Sequence, residues 1–249
     1  MRADQIALQL YTVRRLLAED LPRTLAAVAR AGYRSVELAG LPPMDTAALS
    51  RALSDAGLRA VSAHESLETL RADETAVADR LGALGCPRVV IPSLPATDQA
   101  SADAVLRVAA EIGAIAGRLA DRGIRLGYHN HSFEFQPLDG TTIWDLLVGA
   151  LPATVDLEID VLWASVGGRD PAELIAAHAD RVRLLHMKDR AAGPEPRDEP
   201  AGAGILPWPR IVEAARSAGV EWYIVEQDEP REPRADIEAA WRHLAGMAA

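Results

Sequence analysis

At 249 residues the chain is long enough for one large domain or two small ones, and a single (β/α)8 barrel takes about 250. Hydrophobic residues make up 49% of it and aromatics only 4%, so a sizeable core can form, filled mainly by Ala, Leu and Val. The formal charge of −10 argues against a nucleic-acid partner, whose phosphates require a basic surface, and the lone Cys86 excludes an intrachain disulfide and a thiolate zinc site. No apolar run nears the ~20 residues that span a bilayer, so no membrane role is expected. The opening MRADQIALQLYTVRR lacks the apolar stretch and cleavage site of a signal peptide, and a cytoplasmic, reducing setting is expected.

One local pattern recurs along the chain: a helical stretch, a glycine, then a short β-rich run. It is seen as VARAG-YRSVEL, LSDAG-LRAVSAH, LGALG-CPRVVIP, LADRG-IRLGYHNH and ARSAG-VEWYIVEQ. The glycines Gly32, Gly57, Gly85, Gly123 and Gly219 fall where a helix ends in a left-handed residue. In chain order the predicted strands are Gln5–Leu10, Ser35–Leu38, Arg59–His64, Arg88–Ile91, Arg125–His129, Val155–Asp160, Val182–Met187 and Trp222–Glu226. Helices are predicted over Leu21–Ala31, Thr46–Ala56, Thr69–Leu84, Ala100–Arg122, Thr142–Leu151, Pro171–Ala179, Trp208–Ser217 and Asp236–Gly246. Such alternation demands a parallel sheet, and eight units ending on a helix fit a closed barrel better than an open one. The expected fold is a single (β/α)8 TIM barrel over residues 1–249. The Pro- and Gly-rich stretch 189–207 after the seventh strand is expected to be a lid. The first turn, LQLYTVR, has no Gly-x-Gly-x-x-Gly, so nothing supports dinucleotide binding.

Four side chains close the last four strand segments where an apolar run meets a loop: Glu134, Asp160, His186 and Glu226. In a parallel barrel such positions converge on the face that carries the chemistry. Carboxylates and an imidazole around one point describe a divalent metal site. His64, His129 and His131 also lie at predicted strand ends and are expected to contact substrate or orient the ligands, with His64 divided between the site and packing. Lys188, after His186 in HMKD, is expected to contact substrate oxygens. Trp163 and Trp208 are candidates for stacking on the C–H face of a sugar, with core or lid packing as the alternative. Glu37 is a candidate for binding substrate or bracing a loop. Phe133 and Phe135 would anchor the HSFEF turn and lower the dielectric around Glu134. Asp156 and Glu158 alternate with Asp160, so period two puts all three on one side of the strand and leaves two buried acids without a role.

The strings LQLYTVR, VELAG, YHNHSFEF, EIDVLWA, LLHMKD, GILPW and YIVEQD, in this order from the first strand to the eighth, resemble the sugar phosphate isomerase/epimerase group of the xylose isomerase-like barrel superfamily. The resemblance implies one Mn2+-type ion held by Glu134, Asp160, His186 and Glu226, with Glu134 and Glu226 doubling as acid/base catalysts. The mixed oxygen and nitrogen ligands suit Mn2+ or Co2+, with Mg2+ and Zn2+ left open. One departure is visible: where many relatives carry Gly-Glu-Gly after the seventh strand, this chain has Gly202-Ala203-Gly204.

The expected activity is isomerisation or epimerisation of a keto-sugar or sugar derivative, by proton abstraction beside a metal-chelated carbonyl through a cis-enediolate. The alternative is a metal-dependent lyase or dehydratase acting on a keto-inositol or a 3-keto-glycoside. A DNA-repair endonuclease would want a basic face, and a non-catalytic barrel would bind sugar without turnover. A small-molecule sugar is the expected partner. Whether it is phosphorylated, and whether the chain forms a homo-oligomer, is not legible in these residues.

Overall fold

The computed structural model describes residues 1–193 and 197–248. Its eight barrel strands are β1 (Ile6–Gln9), β2 (Ser35–Leu38), β3 (Arg59–His64), β4 (Arg88–Ile91), β5 (Arg125–His129), β6 (Asp156–Asp160), β7 (Val182–His186) and β8 (Trp222–Val225). Each pairs in parallel with its chain neighbour, and β1 pairs with β8 to close the ring. The strands match the sequence expectation to within one or two residues at their ends. The closed ring excludes the open sheet.

Ten helices surround the ring among the described residues: α1 (Arg14–Glu19), α2 (Leu21–Ala31), α3 (Thr46–Asp55), α4 (Leu67–Ala83), α5 (Ala102–Ala120), α6 (Ile143–Ala150), α7 (Val161–Val166), α8 (Pro171–Ala177), α9 (Trp208–Ala218) and α10 (Pro233–Gly246). Side chains of Asp20, Asp45, Ser66, Ser101, Thr142, Asp160 and Asp170 accept from first-turn N–H groups and start seven of them. The sequence reading has α1 and α7 as connections; α7 forms because Asp160 caps it directly off the end of β6. All five glycines of the recurring pattern adopt positive φ. Gly32 has a second constraint, because a Cβ there would lie 2.3 Å from the Trp241 ring. No described helix is long and apolar enough to cross a membrane.

The barrel interior is layered. Ala7, Val61, Val90, Leu184 and Ile224 form an apolar cluster across its middle, separate from the larger core between strands and helices. Period two along β6 then resolves its three acids. Asp156 lies below the apolar layer, where its carboxylate takes Arg88 Nε at 2.9 Å and Arg125 at 2.6 Å. Glu221 completes this knot with bonds to the same two arginines at 2.8 and 2.9 Å. Glu158 and Asp160 stand above the layer.

Asp156 is therefore a structural counter-charge to the buried Arg88. Asp156→Ala should lower the unfolding free energy by about 3 kcal/mol, toward the low end for breaking a buried pair because Glu221 still holds Arg88. Denaturant titration checks this; an unchanged midpoint would remove the role assigned to the knot.

Candidate metal centre

The upper end of the barrel gathers ionisable groups that the strand order alone brings together. His129 ends β5, Asp160 ends β6, His186 ends β7 and Glu226 follows β8. One ligand atom from each lies within 4.8 Å of those from the other three, and all four residues are buried. These are also atoms without hydrogen-bond partners: His129 Nε2, Asp160 Oδ2, His186 Nδ1 and Glu226 Oε2. Some approaches are short, such as His186 Nδ1 to Glu226 Oε2 at 2.7 Å, but they lack the direction of a hydrogen bond. Buried acceptors outside any hydrogen bond are costly and rare, and with Lys188 as the one ammonium beside two of them, four facing one another fit a cation between them.

The remaining atoms of these side chains are committed. Asp160 Oδ1 accepts from Trp163 N at 2.8 Å, capping α7 and leaving Oδ2 free. His129 Nδ1 lies 3.2 Å from the Pro92 carbonyl, which takes a proton there and leaves Nε2 as a lone pair. Asn130 ties β5 to β6 by accepting from Asp160 N at 3.1 Å.

Lys188 is buried beside the group, with Nζ 3.1 Å from Asp160 Oδ2, 2.7 Å from Glu226 Oε2 and 2.8 Å from Asp228 Oδ2. Burial pushes the carboxyls of Asp160 and Glu226 up, but Lys188 and the neighbouring imidazoles outweigh it and hold both below the usual range. Both are ionised at neutral pH, as metal ligands must be. His131 is pushed down to about 3, first by burial and then by His129 and Lys188, so its ring is neutral.

Three of the four ligands expected from strand ends are thus assembled, and Glu134 is not with them. It is fully buried in the turn after β5, where one oxygen accepts from Tyr128 O–H and the other from His131 N, both at 2.8 Å. Its place in the group is taken by His129, expected to contact substrate. This placement has a simple geometric cause: β5 ends at His129, and a short turn of five residues separates it from Glu134. Phe135 packs beside Trp144 and Gly167, as expected of an anchor for this turn.

A cavity of about 310 Å3 opens beside the group, lined by Gln9, Tyr11, His64, His129, His131, Lys188, Glu226 and Asp228 among others. His64, His129, His131 and Lys188 therefore stand where substrate contacts were expected. Trp163 lies near His131, ring centroids 6.0 Å apart, but is not part of the cavity wall. Trp208 is buried away from it and donates its N–H to Asp189 at 2.6 Å.

That same Asp189 carboxylate accepts from the backbone N–H groups of Gly202, Gly204 and Leu206 at 2.9–3.0 Å. This one acid pins the Gly202–Leu206 part of the 189–207 loop to the end of β7, and residues 194–196 lie outside the described residues. A Cβ on Gly204 would meet Asp189 at 2.5 Å, so the last glycine of Gly202-Ala203-Gly204 is required by the pin. Neither Asp189 nor Asn130 was singled out in sequence for these roles, and only their position just past a strand end could have drawn attention to them.

The chain belongs to the xylose isomerase-like TIM barrel family, whose model matches residues 25–247. Among solved structures it is similar to a sugar phosphate isomerase/epimerase from Parabacteroides distasonis, with a TM-score of 0.84 and 26% identity over 98% of this chain and 94% of that one. It is also similar to a probable 3-DHS dehydratase from Bacillus anthracis, with a TM-score of 0.71 and 14% identity over 98% of both chains. A third is the IOLI protein solved with a zinc atom, with a TM-score of 0.75 and 14% identity over 98% of this chain and 99% of that one. No curated protein matches the chain.

Burial also raises the Glu134 carboxyl from its ordinary 4.5 to about 7. Folded protein then holds a proton that the unfolded chain has already lost, so this group's contribution to stability is full below the unfolded value and declines as pH rises toward 7. Between about pH 5 and pH 8 the parent should lose up to about 3 kcal/mol relative to Glu134→Gln. Denaturant titrations across that range check it; parallel pH curves would contradict it.

Proposed function

We propose that the protein is a divalent-metal-dependent isomerase or epimerase acting on a keto-sugar or a close sugar derivative. The observation that carries this reading is the convergence of four buried ligand atoms, none of them in a hydrogen bond, beside a cavity at the C-terminal face of the barrel. The sugar phosphate isomerase/epimerase from Parabacteroides distasonis supports the substrate class. The cavity volume falls in the range of small-molecule sites, roughly 300–1,000 Å3.

His129, Asp160, His186 and Glu226 would hold the ion. Bound there, it would supply Lewis acidity toward a carbonyl and a neighbouring hydroxyl. Glu226 is the one carboxylate that belongs to the ligand group and also lines the cavity, so it is placed to take a proton from a carbon beside that carbonyl. Its ionised state, held by Lys188 and His186, suits a base. Lys188 is anchored by Asp228 and keeps a positive charge beside the reacting carbon. His131, neutral, offers hydrogen bonding to substrate hydroxyls rather than charge. Glu134 lies behind Tyr128, off the cavity wall, and braces the HNH loop. An acid/base role for it would require the loop to turn it outward.

Elemental analysis of the parent after incubation with Mn2+ should find about one ion per chain, and His186→Ala should lose most of it. A panel of ketoses in deuterated water should then show solvent deuterium entering one substrate carbon, with Glu226→Gln slowed by at least 100-fold. An unsaturated or cleaved product would move the assignment to a lyase. A parent that takes up no ion would sink the reading.

A further inference from the structure

The donors around the cavity are already spent on the protein's own acids. Glu226 and Asp228 line the wall, and Lys188 is the lysine or arginine among its described lining residues. Lys188 is also the only lysine in the chain; every other basic residue outside the histidines is an arginine. An ammonium has three N–H bonds, and three carboxylates surround this one: Asp160, Glu226 and Asp228. Arg14 stacks over the ring of the cavity residue Tyr11, 3.9 Å from its centroid, and donates to the Tyr11 carbonyl at 3.0 Å and to Glu229 at 2.9 Å. One layer below the ligand group, Glu37 and Glu158 make the same demand on the wall. Gln9 Nε2 donates to Glu37 at 2.9 Å, Ser62 O–H donates to it at 2.6 Å, and His64 Nε2 lies 2.7 Å from Glu158 Oε2.

The backbone turns on this face are filled in the same way. Neighbouring N–H groups in a turn make a concave site for an anion. Asp189 occupies the set from Gly202, Gly204 and Leu206. Asp198, in the same loop, accepts from the N–H groups of both Asp228 and Glu229 beside the cavity. An incoming phosphate would have to displace a carboxylate that the chain itself tethers there. Residues 194–196, outside the described residues, read Pro-Glu-Pro and bring no cation. Acceptors remain on the wall: His131 Nδ1 is buried without a partner, and the Asp228 side chain is 34% exposed. An ion in the ligand group leaves this balance near neutral, because Asp160, Glu226 and Asp228 match the ion and Lys188 together.

Resting on the function proposed above, we infer that the substrate is an uncharged sugar, a keto-sugar with free hydroxyls and no phosphate or carboxylate. A phosphate dianion only accepts hydrogen bonds and needs cationic or backbone N–H donors, which here are engaged internally. A sugar hydroxyl donates as well as accepts, so it suits a wall whose free groups are acceptors. Asp228 sets the specificity, because its carboxylate repels an anionic substituent at the wall. The Tyr11 ring offers a flat apolar face beside it. Gly40 lets that ring pack close, since a Cβ there would lie 2.7 Å from Tyr11 Cδ2.

The test compares matched pairs on the Mn2+-loaded protein: fructose with fructose 6-phosphate, and ribulose with ribulose 5-phosphate. Solvent-deuterium exchange should favour the free ketose by about 30-fold or more in kcat/KM, and Asp228→Asn should narrow that ratio by about 10-fold. Calorimetric titration with glucitol and glucitol 6-phosphate, which lack the reacting carbonyl, should show the same preference in the parent. An ester that matches or exceeds its free sugar in either measurement overturns the inference. An unchanged ratio in Asp228→Asn overturns the role given to Asp228. Exchange into no ketose of either kind defeats the proposed function instead, and the glucitol pair then decides the inference, with binding of neither member counting against it.

Discussion

Four carboxylates, Glu37, Glu158, Asp160 and Glu226, share the upper end of one closed barrel, each almost entirely out of solvent. Burying even one unpaired carboxylate costs several kcal/mol, so their compensation governs the rest of the site. Each layer solves the problem differently. In the lower one, hydroxyl, amide and imidazole donors surround the acids. In the upper one, Lys188 supplies one positive charge against Asp160, Glu226 and Asp228, and four ligand atoms outside any hydrogen bond face one another. A cation is the economical answer to that remaining imbalance.

The same constraint explains how single residues serve two purposes. Asp160 starts a helix with one oxygen and turns the other toward His129, His186 and Glu226. His186 presents one ring nitrogen to each layer. Below the apolar layer, Asp156 repeats the logic with arginines, which closes the bottom of the barrel without touching the chemistry.

Much of this could be read before any coordinates. Helix, glycine and strand recur so regularly that the ring of eight parallel strands follows from hydrophobic patterning and C-terminal glycines alone. Asp160, His186 and Glu226 were legible because each is polar where an apolar run stops. Glu134 stands apart from these three because β5 stops at His129 and the aromatic HSFEF, which looks like a strand end, is a turn. Glu158 looked like an unexplained buried acid because its partners, His64 and His186, lie on strands far away in sequence and only barrel closure brings them together. Glu37 sits at a one-residue slip in strand pairing, which no local pattern announces. Asp189 resembled a loop start because its partners, the N–H groups of Gly202, Gly204 and Leu206, carry no residue-type signature.

The most direct measurement is anomalous diffraction at the manganese edge from crystals grown with Mn2+. One strong peak is predicted, within bonding distance of His129 Nε2, Asp160 Oδ2, His186 Nδ1 and Glu226 Oε2, with Glu134 still bonded to Tyr128. A peak bound by Glu134 in place of His129, or one among Glu37, His64 and Glu158, would contradict the account.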